Sequence, residues 1–270
     1  MKKVNAAEKK KKLKEYFLEK KRVAIAFSAG VDSTFLLAFC RSVLKENVLA
    51  LTVRSCVFPQ SETESAIAFC AERGIEQIVV DMDNLAIEGF SDNPKDRCYL
   101  CKRAVFITLK DIAKEKGFLY LCEGTNFDDV GDYRPGMRAV EELGIESPLK
   151  IVGLTKSEIR EISKEMGLKT YDKPSAACLA SRFSCGEKIT KEKLAAVGEA
   201  ERFLKEKGFS QVRVRVHGDL ARVEILPEEF SKFSEETRLS VAEKLYSLGF
   251  IYASLDLSGY KTGNMNKTIV

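Results

Sequence analysis

The stretch Ser28-Ala29-Gly30-Val31-Asp32-Ser33 lies between Val23 to Phe27, a short apolar run that predicts a strand, and Thr34 to Leu44, which predicts a helix. Strand, loop and helix in that order place the loop at a carboxyl end of a sheet, where parallel sheets bind their ligands. The following helix begins with N–H groups that have no intrahelical partner and with the positive end of its dipole, and together these favour phosphate. Gly30 permits close backbone approach, while Ser28 and Ser33 add hydroxyl donors. The lysine of the common GxxxxGK(S/T) phosphate loop is missing, so that pattern is excluded. The plainer reading of the same residues is a helix N-cap that happens to be rich in serine and glycine.

Outward from this loop, strands and helices alternate. Val48 to Val53, Gln77 to Val80 and Phe118 to Cys122 predict further strands. Glu62 to Arg73 and Ala104 to Lys116 predict helices stopped by Gly74 and Gly117. Thr155-Lys156-Ser157-Glu158 forms a capping box that opens a helix to Met166. Such alternation predicts a parallel sheet with helices on both faces. After Pro174 the pattern changes. A long helix over Lys191 to Lys207 precedes two strands, Gln211 to Val216 and Leu220 to Leu226, joined at His217-Gly218-Asp219. A helix over Glu235 to Leu248 and a strand over Ile251 to Leu257 complete a small α+β unit. The domain boundary is expected between Asp172 and Lys188, giving domains of residues 1–175 and 176–270.

The 270 residues are enough for a sizeable core, and 45% hydrophobic against 31% charged residues is a globular balance. A formal net charge of +4 is too weak to demand a nucleic-acid partner. The Lys9 to Lys12 run, with Leu13, Phe17 and Leu18, predicts a solvated amphipathic helix. No apolar run approaches a membrane span, and no apolar stretch follows the charged N-terminus, so neither a transmembrane helix nor a secretory signal is expected. A cytoplasmic location follows as the expectation.

Eight cysteines in such a protein read as buried hydrophobes, metal ligands or reactive thiols rather than disulfides. His217 is the single histidine, so mixed Cys/His zinc sites are poorly supplied. Cys40, Cys70 and Cys122 sit in apolar contexts that predict core packing. Cys98-Tyr99-Leu100-Cys101 stands ahead of a predicted helix; alone it is a redox dithiol, half a metal site or chance. Cys178 joins it from a distant segment, and three thiolates suit a [4Fe-4S] cluster with one iron left open. Cys56 falls near the expected nucleotide site, and Cys185, seven residues past Cys178, reads as a fourth ligand or a sulfur relay; the roles of both stay open.

Arg213 and Arg215 share one face of a strand, with Val212, Val214 and Val216 on the other. Arg222 and Glu224 share a face of the paired strand. That face is either solvated or a phosphate clamp built from guanidinium forks, which Arg182 could join. Glu199 and Glu201 are weaker candidates for metal contacts.

The loop resembles the SGGxDS signature of PP-loop ATP pyrophosphatases, with Ala29 in place of the second small residue, glycine. Three motifs together resemble the LarE family, ATP-dependent sulfur transferases of nickel-pincer nucleotide cofactor synthesis. They are SAGVDS, Glu123-Gly124-Thr125-Asn126-Phe127-Asp128-Asp129 with Tyr133-Arg134-Pro135-Gly136, and Lys173-Pro174-Ser175-Ala176-Ala177-Cys178-Leu179-Ala180-Ser181-Arg182. The likeness covers nearly the whole chain, in family order. It implies a PP-loop α/β fold that binds ATP on Ser28, Ala29, Gly30, Val31, Asp32 and Ser33, with Thr52, Arg54 and Gly124 nearby. It implies Asn126, Asp129, Arg134, Arg182, Arg213 and Arg215 as contacts to substrate, phosphate or Mg²⁺. Cys178, Asp32 and Ser33 are the implied catalytic residues, and Cys98, Cys101 and Cys178 the implied cluster ligands. The implied reaction adenylates the carboxylates of pyridinium-3,5-biscarboxylic acid mononucleotide and converts them to thiocarboxylates. A sulfide donor and homo-oligomeric assembly are implied as well. The alternatives are a PP-loop tRNA thiolase with a cluster, and a non-catalytic adenine-nucleotide sensor with a redox or metal cysteine site.

Overall fold

A computed structural model describes residues 6–129, 135–174, 177–261 and 264. The chain divides into two compact units. The first takes Met1–Ser55, Gln60–Met82 and Cys98–Ala176; the second takes Cys56–Pro59, Asp83–Arg97 and Ala177–Val270. Two excursions from the first part of the chain therefore belong to the second unit.

The first unit runs α1 (Ala6–Lys20), β1 (Val23–Ala26), α2 (Val31–Leu44), β2 (Val48–Arg54), α3 (Gln60–Glu72), β3 (Glu76–Asp81), α4 (Arg97–Glu115), β4 (Tyr120–Cys122), α5 (Pro135–Glu142), α6 (Pro148–Ile151) and α7 (Lys156–Glu165). Its four strands are all parallel, in the order β3-β2-β1-β4. Side-chain alternation divides the sheet between two cores. Val23, Ile25, Val48 and Ala50 face Leu13, Phe17, Phe35, Leu36, Ile159 and Ile162 on one side. Ala24, Leu49 and Leu51 face Phe106, Leu109 and Ala113 of α4 on the other. The sequence-predicted parallel α/β sheet is thus present, with apolar strands that are buried on both faces.

Two helices start earlier than their apolar periodicity indicates. Helix α2 opens at Val31, so Asp32 and Ser33 lie in its first turn. Helix α4 opens at Arg97, so the Cys-x-x-Cys lies within the helix rather than ahead of it. Asp32 and Ser33 in α2, and Lys102 and Arg103 in α4, interrupt the apolar pattern just inside each helix start, which is why periodicity misses both starts.

The second unit contains α8 (Lys191–Glu206), β5 (Val212–His217), β6 (Leu220–Ile225), α9 (Glu235–Ser247) and β7 (Tyr252–Leu255). Strands β5 and β6 form an antiparallel hairpin, and β7 adds parallel to β6. Gly218 takes the left-handed conformation in the turn, at φ +61°. Val212, Val214 and Val216 are buried, and α8 packs on β5.

Candidate functional site

The strand order makes β1 and β4 neighbours, although β1 leads on to β2 in sequence. The chain thus leaves the sheet in opposite directions on either side of this pair, and a crevice opens at their carboxyl ends. The loop after β1 and the segment after β4 line it. Gly124 makes the approach possible. A Cβ there would stand 3.0 Å from the Ser33 amide nitrogen and 3.2 Å from its Cα, so any side chain would force the two segments apart. Gly30 faces no such crowding; a Cβ there would meet only Ser28 Oγ, at 3.6 Å. The left-handed residue of the loop is Ala29, at φ +55°, a conformation that disfavours a Cβ.

The N-cap of α2 is Gly30, which supplies no side-chain acceptor, so no side chain caps the first turn of the helix. Ser28 Oγ lies 3.1 Å from Ser33 Oγ, and Ser33 Oγ reaches Gly30 O at 3.3 Å. Lys173, from the third motif, donates to Ala29 O at 3.1 Å and pairs with Glu62 at 2.7 Å. It therefore holds the loop from behind.

Asp32 is the electrostatic centre. Its Oδ2 accepts from Lys156 Nζ at 2.5 Å, while its Oδ1 is buried with no hydrogen-bond partner among the described residues. Burial raises its pKa; Lys156 and the nearby Asn126 amide pull it down, and Asp129 pushes it up. A half-buried carboxylate with one buried, unpartnered oxygen, beside an uncapped helix N-terminus, fits a phosphate-bound Mg²⁺. Sequence reading saw Lys156 only as part of the capping box. That box is present, with Thr155 and Glu158 bonded reciprocally, and it fixes the start of α7 so that Lys156 reaches Asp32. No one-dimensional signal links residues 32 and 156.

Asn126 is buried and Asp129 closes a local turn: the Asn126 amide donates to Asp129 Oδ2 at 3.1 Å, and Asn126 Oδ1 accepts from the Asp128 amide at 2.9 Å. The Asn126 side-chain amide remains on the Asp32 side. Thr52 bridges strands instead of lining an open surface; its hydroxyl donates to Phe27 O and accepts from Gln77 Nε2, both at 2.9 Å. Arg54, at the end of β2, pairs through two nitrogens with Asp81 at 2.5 and 2.7 Å. Arg134 lies outside the described residues.

In the second unit, Arg213, Arg215, Arg222 and Glu224 share one face of the hairpin, with Arg213 opposite Glu224 and Arg215 opposite Arg222. The face is not solvated, since Arg213, Arg215 and Glu224 are buried. Arg215 is held by Glu224 at 2.8 and 3.0 Å and also donates to Ser181 O at 3.2 Å. Arg213 donates to Val212 O at 2.7 Å and sits 5.3 Å from the Tyr260 ring. Burial first, then repulsion from Arg182, lowers its pKa, with Glu201 opposing. Arg182 is fully engaged in support: a two-pronged pair with Glu201 at 2.8 Å, and bonds to the Ala177 and Cys178 carbonyls at 2.9 and 3.1 Å. It shapes the Cys178 segment from beneath. Glu201 is its counter-ion, and Glu199 pairs with Arg202 and Lys244.

The cysteines sort by environment. Cys40, Cys70 and Cys122 are buried, and burial raises the thiol pKa of Cys70 and Cys122 to about 12. Those thiols stay protonated and belong to the core, as the sequence predicts. Cys98 is exposed, while Cys56, Cys101, Cys178 and Cys185 are half-exposed. Cys98 and Cys101 are three apart in the first turns of α4, on one helix face. Arg97, the residue before Cys98, donates to Ala180 O at 2.8 Å, two residues beyond Cys178. Cys98, Cys101 and Cys178 thus each keep a solvent-accessible thiol, the donor type that an iron–sulfur cluster takes. Among the described residues no three His, Cys, Asp or Glu side chains already converge.

A parallel sheet that presents a Ser/Gly loop and an uncapped helix to phosphate, without a phosphate-loop lysine, defines a PP-loop protein that uses ATP. The NAD synthase family model matches residues 5–120. Over 253 residues the chain is 36% identical to pyridinium-3,5-bisthiocarboxylic acid mononucleotide synthase of Lactiplantibacillus plantarum, covering 92% of this chain and 90% of that one. An uncharacterized protein of Synechocystis sp. is 40% identical over 95% of this chain and 96% of its own length. A GMP synthase of Campylobacter hominis is 27% identical over 69% of this chain and 40% of its own. The chain belongs to the LarE family, that of the Lactiplantibacillus synthase.

Proposed function

We propose that this protein is an ATP-dependent sulfur transferase that adenylates the carboxylates of pyridinium-3,5-biscarboxylic acid mononucleotide and converts them to thiocarboxylates. The full-length likeness to the Lactiplantibacillus synthase carries this reading, because it spans both the nucleotide loop and the arginine face. It also favours a small nucleotide over tRNA as the acceptor.

The chain's own residues supply most of what adenylation needs. The first-turn N–H groups of α2 with Ser28 and Ser33 hold the β and γ phosphates and the departing pyrophosphate. Lys156 and Asn126 flank Asp32, which would hold Mg²⁺; the ion, when bound, adds charge stabilisation at the phosphates. A substrate carboxylate oxygen attacks the α phosphorus, and the bond to the bridging oxygen of pyrophosphate breaks. Lys156 exchanges Asp32 for the developing negative charge. Arg213, with Arg215 behind it, takes the acceptor's phosphate and keeps the carboxylate in line. Cys98, Cys101 and Cys178 would hold a [4Fe-4S] cluster, which when bound supplies an iron site for inorganic sulfide. We place the protein in the cytoplasm as a homo-oligomer.

The test is pyrophosphate release and thiocarboxylate formation by anaerobically purified protein given ATP, acceptor and sulfide. Asp32→Ala and Ser33→Ala should abolish pyrophosphate release with the fold retained. Native rates in both would remove the loop from the mechanism. Iron content and the mass of Cys178 after many turnovers separate the two sulfur sources: a loss of about 34 Da at Cys178, one H₂S, marks a sacrificial cysteine instead of a cluster.

A further inference from the structure

Cys56 was left without a role by its sequence context, and the mechanism above does not use it. Within the second unit, however, the Cys56 and Cys178 segments meet. The Leu179 amide donates to Val57 O at 2.8 Å, so the residue before each partner of that bond is a cysteine. Val57 and Leu179 are both buried, whereas Cys56 and Cys178 both keep access to solvent. Cys178 is held at its own carbonyl by Arg182 and Ser181, while Cys56 lies in a turn, where the backbone can adjust. Backbone geometry through that one hydrogen bond keeps the two Cα atoms within about 11 Å. Closing to the roughly 5.5–6 Å of a disulfide requires only that the turn shift.

We propose that Cys56 and Cys178 form a thiol pair that low-molecular-weight disulfides convert reversibly to an intramolecular disulfide. One protein thiolate attacks the small disulfide, forming a mixed disulfide and releasing one small thiol. The second protein thiolate then attacks the protein sulfur of that intermediate and releases the other. The protein loses two electrons and two protons; the reagent becomes two thiols. The pair is a modification site distinct from the buried cysteines, and it stores Cys178 in a form that further oxidation does not destroy. Cys178 is also a proposed cluster ligand, so the pair forms in protein without the cluster; the disulfide itself requires neither adenylation nor sulfur transfer.

The experiment treats chelator-stripped, full-length protein with oxidised glutathione under native conditions and maps tryptic peptides without reduction. Cys178 falls in residues 170–182, Cys56 in 55–73 and Cys185 in 183–188, so the three are separable, and fragmentation within 55–73 distinguishes Cys56 from Cys70. The expected product links Cys56 to Cys178 and is released by dithiothreitol. In Cys56→Ser, glutathione should instead remain attached to Cys178. A Cys178–Cys185 link, or glutathione on Cys178 of the unaltered protein with Cys56 still reduced, would overturn the pairing. The readout is the map of cysteine linkages, whereas pyrophosphate release is measured separately, so failure here is distinguishable from failure of the adenylation reading.

Discussion

At the scale of single residues, the nucleotide loop carries two energetic costs. Ala29 is buried and left-handed, a conformation that costs a non-glycine residue about 1–2 kcal/mol. Glycine relieves that strain but adds freedom to the unfolded chain worth about 0.4–1 kcal/mol. Ala29→Gly should therefore be neutral or stabilise by about 1 kcal/mol in urea unfolding, while Ala29→Val, β-branched and overpacked, should lose more than about 2 kcal/mol. The second cost is Asp32. Its folded pKa lies above the ordinary 3.8, so the folded state binds the proton more tightly than the unfolded chain does. Its contribution is full below pH 3.8 and lost as pH rises through the raised value, which leaves a penalty at neutral pH. Asp32→Asn should keep or slightly raise stability at pH 7 while abolishing pyrophosphate release. A clear loss of stability in that variant would mean that the Lys156 pair outweighs the burial.

At the scale of elements, two buried or half-buried contacts shape the second unit. Arg182 and Glu201 form a buried pair that ties α8 to the Cys178 segment. Breaking one side of such a pair strands a buried charge, so Arg182→Ala should lose about 3–5 kcal/mol, whereas the double replacement Arg182→Met with Glu201→Leu should recover most of it. Urea unfolding of the two variants checks this. The β5–β6 hairpin carries the other contact. Arg222 Nε donates to His217 Nε2 at 3.2 Å, which places the imidazole proton on Nδ1, facing Ser184 Oγ at 3.2 Å. Burial first, and Arg222 second, holds the His217 pKa below 6.5, with Glu187 and Glu224 opposing and Arg215 assisting. The stability it contributes is full above pH 6.5 and lost as pH falls through the depressed value. His217→Gln should flatten the decline in stability between neutral and mildly acidic pH; an unchanged slope would assign that decline elsewhere.

At the scale of the whole molecule, the proposed reaction assigns ATP to the loop, Asp32 and Lys156, which lie in the first unit, and the acceptor to the arginine face, which lies in the second. Arg213→Ala should therefore weaken acceptor binding about ten- to a hundredfold, matching the roughly 1.5–3 kcal/mol of a charge-assisted hydrogen bond, and leave ATP affinity unchanged. Calorimetry with each ligand separates the two. Equal losses would move Arg213 to the nucleotide. Arg215 is the poorer probe, because its removal takes two hydrogen bonds from Glu224, which is wholly buried.

Some of this was settled by sequence alone. Alternating apolar strands and glycine-stopped helices determined a parallel α/β sheet, because periodicity and capping are local properties of the chain. The phosphate loop and the buried character of Cys40, Cys70 and Cys122 were legible for the same reason. Local pattern could not supply partners. The order β3-β2-β1-β4, which brings Gly124 against Ser33, depends on which strands pair. Lys156 at Asp32, Lys173 behind Ala29, Glu201 beneath Arg182 and Val57 beside Leu179 are all long-range contacts. Chain folding chooses them by burial and charge balance over the whole structure, so residues that read as a cap, a turn or a stray cysteine take their roles only in three dimensions.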